Sequence, residues 1–146
     1  MENWWTEKDS KAFKNKTHLV VGQYNAYQVT DSLFVNGELT LGENIADLGG
    51  LAVAYDGLQK HLNKTGRPGK ITGFTPEQRF FISWGQIWRV KMRPESERNQ
   101  VLTDPHSPAR FRVNGPVSNL EEFYAAFNVQ PGDPMKRQDS LRAKIW

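Results

Sequence analysis

Glu43 and Asp47 stand four residues apart in the run Thr40-Leu41-Gly42-Glu43-Asn44-Ile45-Ala46-Asp47-Leu48-Gly49-Gly50-Leu51. On a helix that spacing puts both carboxylates on one face, one turn apart. The face continues through Gly50, Leu51, Ala54 and Leu58, all small or apolar, so the two acids open a stripe suited to contact with protein. Two like charges in such a place cost free energy unless a metal, an arginine or an imidazolium neutralises them. Gly49-Gly50 in the same helix costs on the order of 1 kcal/mol per glycine against alanine, which suggests that another backbone packs closely there. A local reading competes with this one. Thr40-x-x-Glu43 has the form of a capping box, in which Glu43 serves the helix N-terminus, and Asp47 then pairs with a nearby arginine.

Histidine is the other residue type with metal or proton-transfer chemistry, and it occurs at His18, His61 and His106 only. No two lie close enough in sequence to form a histidine metal motif, and His18 and His61 read as surface residues. His106 precedes Ser107-Pro108 in a loop and Arg112 follows close behind Arg110. Taken alone, a loop contact accounts for the histidine and a solvated or paired side chain accounts for the arginine. Cysteine is absent, which excludes disulfides, thiolate catalysis and cysteine-based zinc knuckles.

The elements that must position these groups read as helices separated by marked turns. Thr6 caps a first helix bearing Phe13, Val20 and Tyr24, whose end is ambiguous because Leu19-Val20-Val21 reads equally as a short strand. Residues 29–40 are irregular, with Asn36-Gly37 signalling a tight turn and a small hairpin. A second helix runs from Thr40 to about Asn63. A third begins at Thr75 with Pro76 in its first position and Gln78 completing a capping box; it buries Phe80, Phe81, Trp84, Ile87 and Trp88 and ends at Pro94. A short helix covers 95–102; residues 103–117, with their prolines and an Asn114-Gly115 turn signal, read as ordered loop; and Asn119 with Glu122 caps a last helix before a basic tail. The class is mainly α.

With 146 residues, the chain has the size of one domain. It is 38% hydrophobic and 24% charged, with five Trp, eight Phe and four Tyr, which supplies ample material for a core and argues against disorder. No run approaches the roughly 18 apolar residues of a membrane span. A net charge of +3 is too thin an electrostatic footprint for nucleic-acid binding, and no nucleic-acid motif is present.

The segment Asn36-Gly37-Glu38-Leu39-Thr40-Leu41-Gly42-Glu43-Asn44-Ile45-Ala46-Asp47-Leu48-Gly49-Gly50 resembles a signature of the neprilysin and endothelin-converting-enzyme family of zinc metallopeptidases. The resemblance continues through Trp4-Trp5-Thr6, Phe80-Phe81, Gln86-Ile87-Trp88, Arg93-Pro94-Glu95, Thr103-Asp104-Pro105-His106-Ser107-Pro108, Phe111-Arg112-Val113, Glu122-Phe123 and the closing Trp146. It implies that Glu43 is the third zinc ligand and that Asp47 orients a zinc-bound histidine, consistent with zinc's acceptance of carboxylate oxygen and the usual carboxylate partner of a ligating imidazole. It implies further that His106 stabilises the oxyanion of the tetrahedral intermediate, that Arg112 binds a substrate carbonyl, and that Ile87 and Trp88 wall the pocket for the side chain after the scissile bond.

The family's H-E-x-x-H helix, whose histidines ligate zinc and whose Glu activates water, is not among these 146 residues. The resemblance places it shortly before Trp4-Trp5. The expectation is therefore that residues 1–146 form a single unit, the helical C-terminal subdomain of a thermolysin-like catalytic domain with loops and a short hairpin. Its partners would be the upstream catalytic half and peptide substrates, with no nucleic acid and no membrane contact from this segment, and with self-association through an exposed Glu43 face. Zinc would belong to the parent enzyme, and the isolated chain would be inactive and hold little or none. A non-catalytic helical binding module from the same family is the alternative. The absence of cysteine resembles bacterial members, and an extracytoplasmic parent, periplasmic or secreted, is favoured over a cytoplasmic one.

Overall fold

The computed structural model describes residues 4–30 and 32–145; Trp146, the last residue of the resemblance, lies outside them. Helix α1 spans Glu7–Asn25 and starts where the Thr6 hydroxyl accepts the Asp9 N–H at 3.1 Å. It runs straight through Leu19-Val20-Val21. Thr17, Val20, Val21 and Tyr24 are buried at helical spacing along one face, so the 3.6-residue period prevails over local β-propensity.

The hairpin is present but shifted from Asn36-Gly37. Strand β1 (Gln28–Thr30) pairs antiparallel with β2 (Leu33–Phe34) in an irregular register, Gln28 opposite Phe34 and Thr30 opposite Leu33. Asn36 instead turns the chain into the next helix, its Oδ1 accepting the N–H groups of Glu38 and Leu39 at 3.1 and 3.0 Å. Gly37 is required there because a Cβ would run into the Val21 carbonyl of α1.

Helix α2, Leu41–Thr65, ends at Gly66, which takes φ 89° and donates to the Leu62 carbonyl at 3.0 Å. The Thr40 hydroxyl makes no capping bond, so the capping box is not formed. Helix α3 covers Pro76–Ile87 and has the full box at Thr75 and Gln78. It stops at Ile87, short of Pro94, which opens α4 (Pro94–Thr103) at the first helical position.

Residues 109–117 are helical where the sequence suggested loop. Helix α5, Ala109–Val117, starts after Pro108 and carries Pro116 in its last turn. Gly115 is not a turn glycine. A Cβ on it would overlap the buried Tyr24 hydroxyl, so its small size lets α5 approach α1. Helix α6, Glu121–Phe127, is preceded by Leu120 with no side-chain cap. Asn119 is buried and spent elsewhere: its Nδ2 donates to Gln23 Oε1 and the Gly115 carbonyl, both at 2.8 Å, and its Oδ1 accepts the Ala143 N–H at 2.8 Å. A 3-10 turn, Asp139–Leu141, follows in the tail.

These elements close around two apolar clusters. The first joins Val20 and Tyr24 of α1, Val35, Leu48 of α2, Phe111 of α5, and Ala143 and Ile145 of the tail. The second joins Leu51 of α2, Phe81 of α3 and Val117 of α5, with Phe123 and Phe127 of α6 packed against them. Leu120 packs against both clusters. Among the described residues no helix is long and apolar enough to cross a membrane.

Candidate functional site

Glu43 lies in the first turn of α2, and Asp47 follows one turn later on the same side. Their environments differ sharply. The Asp47 side chain is 8% exposed and is gripped by a two-point fork from Arg112 of α5, Nε to Oδ2 at 2.6 Å and Nη2 to Oδ1 at 2.8 Å. A planar guanidinium meeting a carboxylate edge-on is the strongest neutralisation a side chain offers. Hydrogen bonding to Asp47, aided by the carboxylate's charge, raises the pKa of Arg112 against the opposing effect of burial. The guanidinium carbon also sits 4.1 Å from the centre of the Trp88 ring, a cation–π contact.

Glu43 is more open, its side chain 41% exposed. Its Oε2 is 3.3 Å from His106 Nε2 and 3.7 Å from Arg112 Nη2. His106 comes from the loop between α4 and α5. Its other ring nitrogen, Nδ1, is 2.6 Å from Asp104 Oδ1, which also accepts the His106 backbone N–H at 2.8 Å. A carboxylate only accepts, so Nδ1 donates to Asp104, and Nε2 is the atom turned toward Glu43. The backbone N–H and then the ring of His106 hold the Asp104 carboxyl below the usual aspartate range.

The structure therefore brings Glu43, Asp47, His106, Arg112 and Trp88 together from α2, the 104–108 loop, α5 and the end of α3. Ile87 is the exception. The sequence placed it on the buried face of α3, but the helix ends there and the side chain is 68% exposed, while Trp88 turns inward onto Arg112. His18 and His61 are both exposed, as read from the sequence. Asp104 has a role that sequence reasoning left unassigned. The signal was the Asp-x-His spacing, at which an aspartate side chain accepts the N–H two residues on.

Beside the acids, Gly42, Ile45, Ala46, Gly49, Gly50, Val53 and Ala54 line a shallow apolar hollow on α2. A Cβ on Gly50 would meet nothing within 4 Å, so the close backbone neighbour suggested by Gly49-Gly50 is not supplied at Gly50 by the described residues. Among those residues, no group of three or more His, Asp or Glu side chains is arranged to hold a metal ion.

A helical unit that gathers an open carboxylate, a carboxylate-oriented imidazole and an anchored guanidinium on one side has the furniture of one wall of a hydrolytic centre. The sequence matches the model of Peptidase family M13 over residues 1–143. Bovine endothelin-converting enzyme 1 is 43% identical over 145 residues, covering 98% of this chain and 19% of that protein, and the human enzyme is 45% identical over 145 residues, covering 98% and 18%. Among solved structures, the zinc metalloprotease ZMP1 of Mycobacterium tuberculosis, in complex with inhibitor, superposes with a TM-score of 0.93 at 40% identity, covering 100% of this chain and 23% of that one. PepO from Lactobacillus rhamnosis superposes at 0.79 with 39% identity, covering 99% and 21%. The chain belongs to peptidase family M13, and it spans about a fifth of the length of the relatives it matches.

Proposed function

We propose that this chain is the C-terminal part of the catalytic domain of an M13 zinc metalloendopeptidase that hydrolyses peptide bonds of oligopeptides, and that it contributes one side of the active site. The observation that carries the reading is the convergence of Glu43, His106 and Arg112, with the remaining carboxylate, Asp47, already spent on Arg112. The donor set fits zinc as a partial site. Glu43 presents an open carboxylate oxygen, a ligand zinc accepts, and the other protein ligands come from an H-E-x-x-H helix. A zinc ion held there would supply Lewis-acid polarisation of the scissile carbonyl.

The remaining work falls to this chain's side chains. Asp104 accepts from His106 Nδ1 and holds the ring with Nε2 facing the reacting centre, where the imidazolium form, with a proton on each ring nitrogen, donates to a developing oxyanion. Asp47 fixes Arg112, which then offers its guanidinium to a substrate carbonyl without having to be ordered on binding. Trp88 stacks beneath that guanidinium, and exposed Ile87 is free to complete the pocket wall once a second segment covers it. The apolar hollow along Gly42, Ala46, Gly50 and Val53 is the surface on which the H-E-x-x-H segment docks; without it, the same surface is where copies of the chain would associate.

Reconstitution tests this. Mixing the chain with an upstream M13 segment bearing H-E-x-x-H should generate zinc-dependent peptide cleavage that neither piece shows alone and that Glu43→Ala abolishes. Stoichiometric submicromolar zinc binding by the isolated chain, lost in Glu43→Ala, would overturn the assignment of Glu43 to an incomplete site.

A further inference from the structure

Asn44 and Ser107 are each 1% exposed, and neither takes part in the chemistry described above. Each sits one residue after a group that does: Asn44 follows Glu43, and Ser107 follows His106. The Ser107 hydroxyl donates to Asn44 Oδ1 at 2.9 Å across 63 residues of sequence. Asn44 Nδ2 donates to Thr40 Oγ1 at 2.9 Å, and the Thr40 hydroxyl donates to the Asn36 carbonyl at 2.9 Å. Every hydroxyl and amide in this buried relay donates in one direction, from the 104–108 loop into the turn that starts α2. Such a chain is mutually polarising, and a partner lost anywhere strands a buried polar atom.

We infer that the Asn44–Ser107 pair is a positioning lock that sets the separation of Glu43 and His106; the inference rests on the roles given to those two residues above. Among the described residues, the loop's other hydrogen bonds hold it to itself or to its flanking helices. Asp104 N–H donates to the Gln100 carbonyl at 2.8 Å, Gln100 Nε2 donates to the His106 carbonyl at 3.4 Å, and Asp104 orients the ring. Those bonds fix the imidazole within its loop, and none of them reaches α2. The direct contact between His106 and Glu43 joins two side chains that are 42% and 41% exposed, a weak restraint in water. The buried bond between their sequence neighbours does not share that weakness. Together with the Asp47–Arg112 fork one turn along, it pins the 104–112 segment to α2 at two points, so the imidazole cannot swing about the arginine.

The test pairs a geometric readout with a kinetic one. In the 146-residue chain, the nuclear Overhauser contact between the His106 ring and the Glu43 side chain should weaken in Ser107→Ala while the chain still unfolds cooperatively. In the reconstituted peptidase the same variant should lower kcat about 10- to 100-fold, with KM and zinc affinity unchanged. Ser107→Thr, which keeps the hydroxyl, should retain turnover, and Asn44→Ala with Ser107→Ala should cost no more than the worse single change. Thr40→Val gives a milder break in the same relay and should move both readouts in the same direction, which serves if Ser107→Ala does not fold. Wild-type contact and kcat in Ser107→Ala, alongside a turnover loss in His106→Ala, would overturn the lock and leave the function standing. Unchanged turnover in His106→Ala would overturn both.

Discussion

At the scale of single residues, the two carboxylates that look alike in sequence are different instruments. Asp47 is buried and fully engaged by Arg112, so Arg112→Ala strands a charge in the interior and should cost about 3–5 kcal/mol of stability, read as a drop in denaturation midpoint. Glu43 is half-exposed, and Glu43→Ala should leave the midpoint nearly unchanged while removing zinc-dependent cleavage from the reconstituted enzyme. His106→Ala removes a donor aimed at the oxyanion and should lower kcat by roughly 10²–10³-fold with little change in KM. A rise in KM at constant kcat would instead assign His106 to ground-state binding. Helical spacing made the shared face of Glu43 and Asp47 legible. Their division of labour was not, because it depends on a guanidinium 65 residues away along the chain.

Among the elements, α3 was read from a start signal that the structure forms, whereas α2 was read at nearly its observed bounds although its cap does not form. Thr75, Pro76 and Gln78 specify α3 locally, and the structure forms that cap as written. Helix α5 was read as loop because Asn114-Gly115 and its prolines imitate turn chemistry. The glycine answers instead to Tyr24, a tertiary neighbour that no local window contains. Asn119 was read as a cap for the same reason, when its amide serves α1, α5 and the tail. Two substitutions separate these kinds of glycine. Gly115→Ala should destabilise by about 1–3 kcal/mol through overlap with Tyr24, while Gly50→Ala should stabilise the isolated chain by about 0.4–1 kcal/mol and weaken its reconstitution. The start of α3 also carries a pH signature. Burial raises the pKa of Glu77, but its own N–H, Arg67 and Gln59 outweigh that and hold the carboxyl below its usual value. The contribution of Glu77 is therefore present above the unfolded carboxyl's pKa and lost as pH falls through the folded one. The gap in melting temperature between wild type and Glu77→Gln should be full at neutral pH and close in acid.

At the scale of the molecule, the mainly helical class followed from the helical periodicity and the marked turns. The division into two clusters did not, since it depends on which faces meet. Leu120 touches both clusters. Leu120→Ala should therefore cost about 2–5 kcal/mol and also loosen their cooperation, with amides of α3 and α6 exchanging ahead of those in α1 and α2 under native conditions. The ring of Trp88 joins two elements across the site. It hangs from the end of α3, whereas the Arg112 it supports is tied through Asp47 to α2. Movement of α3 against α2 would therefore act on that stack. Trp88 is thus the molecule's own strain gauge, an indole whose emission would register how tightly the end of α3 is held against α2 when a second segment or a peptide closes over them.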